Sequence, residues 1–132
     1  MIYVDTGPLL ARYLVRDGRH EDARRIWQHL AESGEPLFTS NFVLDEFFTL
    51  LGRRAGYSFA AERARGLYVS ERLKILRPNL PDELKAVDLF VKFADQRVSF
   101  TDCVSFVLMG RYQIKRAFSF DQHFSWAGFL LL

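Results

Sequence analysis

The chain contains a single cysteine, Cys103, which excludes an internal disulfide and a cysteine-rich zinc cluster. It also lacks any window near the roughly eighteen consecutive apolar residues of a membrane span. The opening MIYVDTGPLL has no basic stretch ahead of its apolar residues and carries Asp5 inside them, so no secretory leader is expected. An excess of one charge is missing too. Eighteen basic against sixteen acidic residues leave a formal charge of +2, too small to identify a nucleic-acid binder by itself, although it permits a local basic surface. What is present is apolar: 49% of the residues are hydrophobic and thirteen are Phe, which excludes a disordered chain. At 132 residues, one domain covering 1–132 is expected, in a soluble cytoplasmic protein.

Short apolar runs alternate with longer helical patterns. Ile2–Val4 reads as a buried strand, and Pro8 opens a helix carrying Leu9, Leu10, Tyr13 and Leu14, closed at Gly18. A helix follows over Glu21–Ser33 with Gly34 as its stop, then a strand at Leu37–Thr39. Ser40 caps a helix over Asn41–Arg54, and Ser58 caps another from Phe59 to Ser70. Leu73–Leu76 reads as an outer strand. Pro78 and Pro81 bracket a turn ahead of a helix over Asp82–Phe93. Ser99 or Thr101 starts a helix whose body, Cys103–Met109, is apolar on nearly every side and therefore central. Ala117–Phe118 and Phe129–Leu132 supply the last strands, around a helical turn at Phe124. The pattern predicts a three-layer α/β/α sandwich with a mainly parallel sheet, whose site lies beyond the carboxyl ends of the strands near a reversal of strand order.

Four carboxylates interrupt this apolar framework: Asp5, Glu46, Asp102 and Asp121. A core gains nothing from an unpaired carboxylate, which costs several kcal/mol to desolvate. Asp5 and Asp121 follow proposed strands, and Asp102 stands at a helix start. Glu46 shares a helical face with Val43 and Leu50, whereas Asp45 lines up with Asn41 and Thr49 on a wet face. Each has an ordinary reading beside the functional one. Asp5 serves as a cap, Asp102 as an N-terminal helix carboxylate and Asp121 as a turn residue. Only Glu46, in mid-helix, has no capping role to fall back on. Together they form a set that would repel itself without a cation, and oxygen donors of this kind suit Mg²⁺ or Mn²⁺. Thr6, Ser40 and Thr101 are hydroxyls beside these acids, with capping the alternative use.

With those residues in place, the chain resembles the PIN-domain family of nucleases, most closely its VapC-like toxin ribonucleases. The matching segments are IYVDTGPLLA, SNFVLDEFFTLL, FTDCVSFVLM and AFSFDQHFSWAGF, in the family's order along almost the whole chain. The resemblance implies an α/β/α sandwich, Asp5, Glu46 and Asp102 as core acids, and Asp121 at the more variable fourth position. It further implies Mg²⁺- or Mn²⁺-dependent hydrolysis of RNA leaving a 3′-hydroxyl and a 5′-phosphate, a homodimer, and a small antitoxin whose tail enters the groove. Arg12, Arg16, Lys115 and Arg116 are the candidate RNA contacts, with Arg12 and Arg16 forming one patch four residues apart. His20 and His29 are expected to face solvent, and His123 stands close enough to Asp121 to reach substrate. Two alternatives stay open: an RNA-processing PIN nuclease without a toxin role, and an inactive PIN-like protein-interaction module. A haloacid-dehalogenase or receiver domain is disfavoured, since Gly7 occupies the place of the second acid such a phosphatase needs and no acidic pair follows the first strand.

Overall fold

The computed structural model describes residues Met1–Leu132. Five strands, β1 (Ile2–Val4), β2 (Leu37–Ser40), β3 (Leu73–Leu76), β4 (Arg116–Phe118) and β5 (Leu130–Leu131), form one sheet in the order β3-β2-β1-β4-β5. Every pairing is parallel, so the expected mainly parallel sheet is wholly so. The connections hold α1 (Thr6–Tyr13), α2 (His20–Ser33), α3 (Asn41–Ala55), α4 (Tyr57–Tyr68), α5 (Leu80–Lys92), α6 (Phe100–Arg111) and α7 (His123–Trp126).

The register shows how the layers form. Val4 pairs with Phe118 and Tyr3 with Ala117, and side chains alternate between the faces of the sheet. On one face Trp27 of α2 packs on Phe118, ring centroids 5.2 Å apart. On the other, Tyr3 meets Phe124 of α7 and sets its hydroxyl 2.8 Å from Ser105 Oγ of α6. The sheet is thus covered on both sides, which lets strands as apolar as IYV and LFTS be buried along their whole length. α5 packs on α6, and α3 packs on both α4 and α1. No helix is long and apolar enough to cross a membrane.

Strand order runs outward from β1 through β2 to β3, then resumes on the other side with β4 and β5. The carboxyl ends of β1 and β4 therefore flank the switch point of the sheet.

Several element boundaries differ from the sequence expectation. α1 starts at Thr6, with Pro8 inside its first turn, where a missing N–H costs no hydrogen bond. It ends at Tyr13, well before Gly18, because Leu14 turns to extended backbone. α4 is preceded by Gly56 at φ 99°, so Ser58 is an ordinary residue of its first turn, and the helix ends at Tyr68. α5 begins at Leu80: Asn79 accepts from the Asp82 amide while the Asp82 carboxylate accepts from the Asn79 amide, and Pro81 fits inside that capped turn.

Candidate active site

Asp5, the last residue before α1, stands at the helix N-cap yet makes no side-chain capping bond. Its Oδ2 instead accepts from the Ser119 hydroxyl at 2.7 Å, and that hydroxyl oxygen accepts from the Asp121 amide at 3.0 Å. One serine thus fixes the distance between the acids that follow β1 and β4. Asp102 is the third residue of α6. Ser99 caps the Asp102 amide at 3.1 Å and leaves the carboxylate to the cleft. Asp121 accepts from the His123 amide at 2.9 Å, a turn bond that coexists with its place in the site. Glu46 reaches the same space from the half-buried face of α3, and Asp45 is exposed.

All four acids line one cleft of about 590 Å³, together with Thr6, Arg97, Ser99, Phe120, Gln122 and His123. None of them pairs with a lysine or an arginine. The one basic side chain in contact is His123, whose Nδ1 lies 3.0 Å from Asp121 Oδ1 and 3.7 Å from Asp102 Oδ2. That nitrogen is buried and makes no hydrogen bond, since the short contact to Asp121 is poorly aligned; proximity there reflects crowding. The electrostatic consequence is large. Burial, followed by the charges of Glu46 and Asp121, outweighs the Ser119 and Thr6 hydrogen bonds and lifts Asp5 to about 6. Burial and then Asp5, Asp121 and Glu46 lift Asp102 to about 8. Burial also pushes the Cys103 thiol up to about 11, which leaves it unreactive.

The donors are mostly hard oxygens, and the crowding is what a cation would relieve. Thr6 Oγ1, buried and without a partner, adds a further free oxygen on the cleft wall. Ligand atoms of Asp102, Asp121 and His123 lie within 4.8 Å of one another and form a group able to hold a metal ion. The residues present fit a divalent cation.

The other sequence candidates are scattered. Ser40 is fully buried and caps α3 by accepting from the Val43 amide at 3.1 Å, away from the cleft. Thr101 lines a neighbouring depression with Asp45, Glu46 and Arg53. Arg12 lies over the Trp27 and Tyr13 rings. Arg16 falls beyond the end of α1 in a separate pocket with Asp17 and Arg54, so the two arginines do not make one patch. Lys115 and Arg116 enter β4 at the opposite end of the parallel sheet, and Arg116 is occupied there by Glu35 at 2.8 Å. His29 is exposed as expected, but His20 is half-buried, its Nδ1 2.7 Å from the Ala11 carbonyl oxygen. The basic residue that does line the cleft is Arg97, held in the left-handed region at φ 55° after a 3-10 turn (Ala94–Gln96). Neither Arg97 nor Ser119 carries a sequence signal beyond nearness to the acids.

Crowded carboxylates outside the carboxyl ends of a parallel sheet form a cluster that could hold a metal ion. The PIN domain model matches residues 2–130. The chain belongs to the PIN-domain family of nucleases, within its VapC ribonuclease group. It is 36% identical over 130 residues to the 23S rRNA-specific endonuclease VapC20 of Mycobacterium tuberculosis, covering 98% of this chain and 96% of that one. The VapC ribonuclease of Archaeoglobus fulgidus is 30% identical over 125 residues, covering 92% and 78%. The crystal structure of Mycobacterium tuberculosis VapC20, described as a sarcin-ricin loop cleaving toxin, superposes with a TM-score of 0.87 at 34% identity, over 98% of this chain and 97% of that one. VapBC2 of Rickettsia felis, bound to a fragment of its promoter DNA, shares the fold alone: TM-score 0.70 at 13% identity, over 100% and 98%.

Proposed function

We propose that this single nuclease domain over residues 1–132 is the toxin of a cytoplasmic toxin–antitoxin pair. Its role is to cut RNA internally with Mg²⁺ or Mn²⁺, and its target is ribosomal RNA of the kind named for VapC20. The observation that carries the reading is the cleft itself, with four carboxylates lining one cavity and no lysine or arginine paired with any of them. Asp5, Glu46, Asp102 and Asp121 would hold the cation, with His123 beside Asp102 and Asp121 as an additional donor. When bound, a divalent cation there lowers the pKa of water and neutralises negative charge growing on a phosphodiester. Ser119 keeps Asp5 and Asp121 in fixed relation, and Ser99 sets the first turn of α6 so that Asp102 faces the cleft. Thr6 Oγ1 is free to donate to a substrate oxygen. Without a cation the same carboxylates repel the RNA backbone, so activity depends on metal twice over. The expected products carry a 3′-hydroxyl and a 5′-phosphate.

An antitoxin tail with a basic side chain would complement the acidic cleft. A homodimer is supported by the exposed apolar stripe Leu80, Leu84, Val87 and Val91 on α5, spaced to share one helical face.

The test is cleavage of ribosomal RNA and of a labelled RNA pool by purified, partner-free protein with Mg²⁺, Mn²⁺ or EDTA. Metal-dependent internal cuts that vanish in folded Asp5→Asn, Glu46→Gln and Asp102→Asn are expected. A folded protein that neither binds a divalent ion nor cuts any RNA would return the chain to the interaction-module reading.

A further inference from the structure

Phe120 lines more than the acidic cleft. A second cavity of about 330 Å³ shares Phe120 and Gln122 with it. Its outer wall carries Arg19, whose guanidinium carbon lies 4.9 Å above the Phe120 ring. The ring is held in turn. Phe118 meets it edge-on at 5.9 Å, and Gly7 lies behind it, where an added Cβ would come 3.4 Å from Phe120 Cδ2. The local charges are not equivalent. Asp22 and Arg25, both on this cavity, pair with each other, whereas Arg19 is in no ion pair. Arg19 is therefore an uncommitted cation, seated on a ring that also lines the acidic cleft, where Arg97 stands on the wall.

We infer that Arg19 and Phe120 form a subsite for the RNA nucleotide next to the scissile phosphate. This rests on the ribonuclease reading above. RNA bases splayed from a strand stack on aromatic rings and on guanidinium planes, and the guanidinium fork also matches a phosphate. The acids at the centre of the cleft repel the backbone on either side of the cut, so the flanking phosphates need cations close by. Arg12, Arg16 and Arg116 do not supply them, because they line neither of the two cavities. A bare solvated arginine would account for the exposure of Arg19, but not for its placement over a ring that lines both cavities.

Binding of a labelled single-stranded RNA of mixed sequence tests this, measured by fluorescence anisotropy over a range of salt. An Asp5→Asn background prevents cleavage. Arg19→Ala is expected to weaken binding about tenfold at low salt and to reduce the salt slope by about 0.7, the share of one phosphate contact on a single strand. Phe120→Leu, checked for folding by its melting curve, should weaken binding roughly fivefold or more through lost stacking while leaving the slope unchanged. Arg116→Ala, at the other end of the sheet, is the control and should behave as the parent. In the cleaving protein, Arg19→Ala should raise KM with little change in kcat. Affinity and slope of Arg19→Ala equal to those of Arg116→Ala would overturn the subsite, as would a loss confined to binding of a protein antitoxin. Those results leave the nuclease standing. Absence of RNA binding and cutting by the wild type would instead remove the ribonuclease reading, and the subsite with it.

Discussion

Asp82 and Asp102 each occupy the third residue of a helix, α5 and α6, and they are almost equally hidden, at 4% and 7% exposed. Both backbone amides are capped from three residues back, but the two carboxylates meet different surroundings. Asp82 accepts from the Asn79 amide at 3.0 Å and from Arg111 at 2.6 Å, so its charge closes a capping box and meets a guanidinium. Asp102 has its cap supplied by Ser99 and faces three other acids. The first arrangement stabilises the fold, while the second works against it unless something else is bound. Burial of a carboxylate therefore does not mark a functional site. Burial without a partner, among its own kind, does.

The comparison can be broken most sharply by paired substitutions. Asp102→Asn should lower kcat/KM for RNA cleavage by roughly 10²–10³-fold while leaving the metal-free protein as stable as wild type or more so. Asp82→Asn should do the reverse: near-normal cleavage by the folded protein, and a loss of about 2 kcal/mol from the cap and the partly exposed ion pair, read by urea unfolding. If Asp102→Asn destabilised as Asp82→Asn does, Asp102 would be structural.

The acidity of the site sharpens the same contrast. Asp5 and Asp102 are held above ordinary carboxylate values, so between about pH 4 and 8 the folded protein binds more protons than the unfolded chain. The slope of stability with pH is then negative: this contribution is fully present below the unfolded values and is lost as pH rises through about 6 for Asp5 and about 8 for Asp102. Metal-free stability should accordingly fall across that window, and Asp102→Asn should flatten the fall. Mn²⁺ should raise the melting temperature more at pH 8 than at pH 5, through binding to the ionised acids. A metal-free profile that rises with pH would contradict the crowding described above. The smallest effect concerns the nitrogen donor. His123→Ala should weaken Mn²⁺ binding about tenfold with less change for Mg²⁺, measured by competition, because imidazole suits the transition metal better.

Much of this was legible in the sequence because the signals were local. Ile2–Val4 followed by Asp5, and Glu46 set against Asp45 on one helix, need only periodicity to be read. The covered helix α6 announced itself by an apolar run too long for one face. What escaped was decided by partners distant in the chain. Ser119 matters only because Asp5 lies 114 residues away across the β1–β4 pair. Arg97 reaches the cleft through a left-handed backbone that its sequence does not require. Arg116 was a candidate RNA contact by its charge alone, yet in a parallel sheet a residue entering a strand stands opposite the site, and Glu35 pairs with it there.

The central claim is that a cation belongs among these acids, and calorimetric titration of Mn²⁺ into the metal-free protein at pH 7, repeated in two buffers of different ionisation enthalpy, tests it most directly. The expected result is saturable binding that releases protons from the raised carboxylates, is abolished in Asp102→Asn and is retained in Asp82→Asn. No binding at millimolar Mn²⁺, or binding that Asp102→Asn leaves untouched, would contradict it.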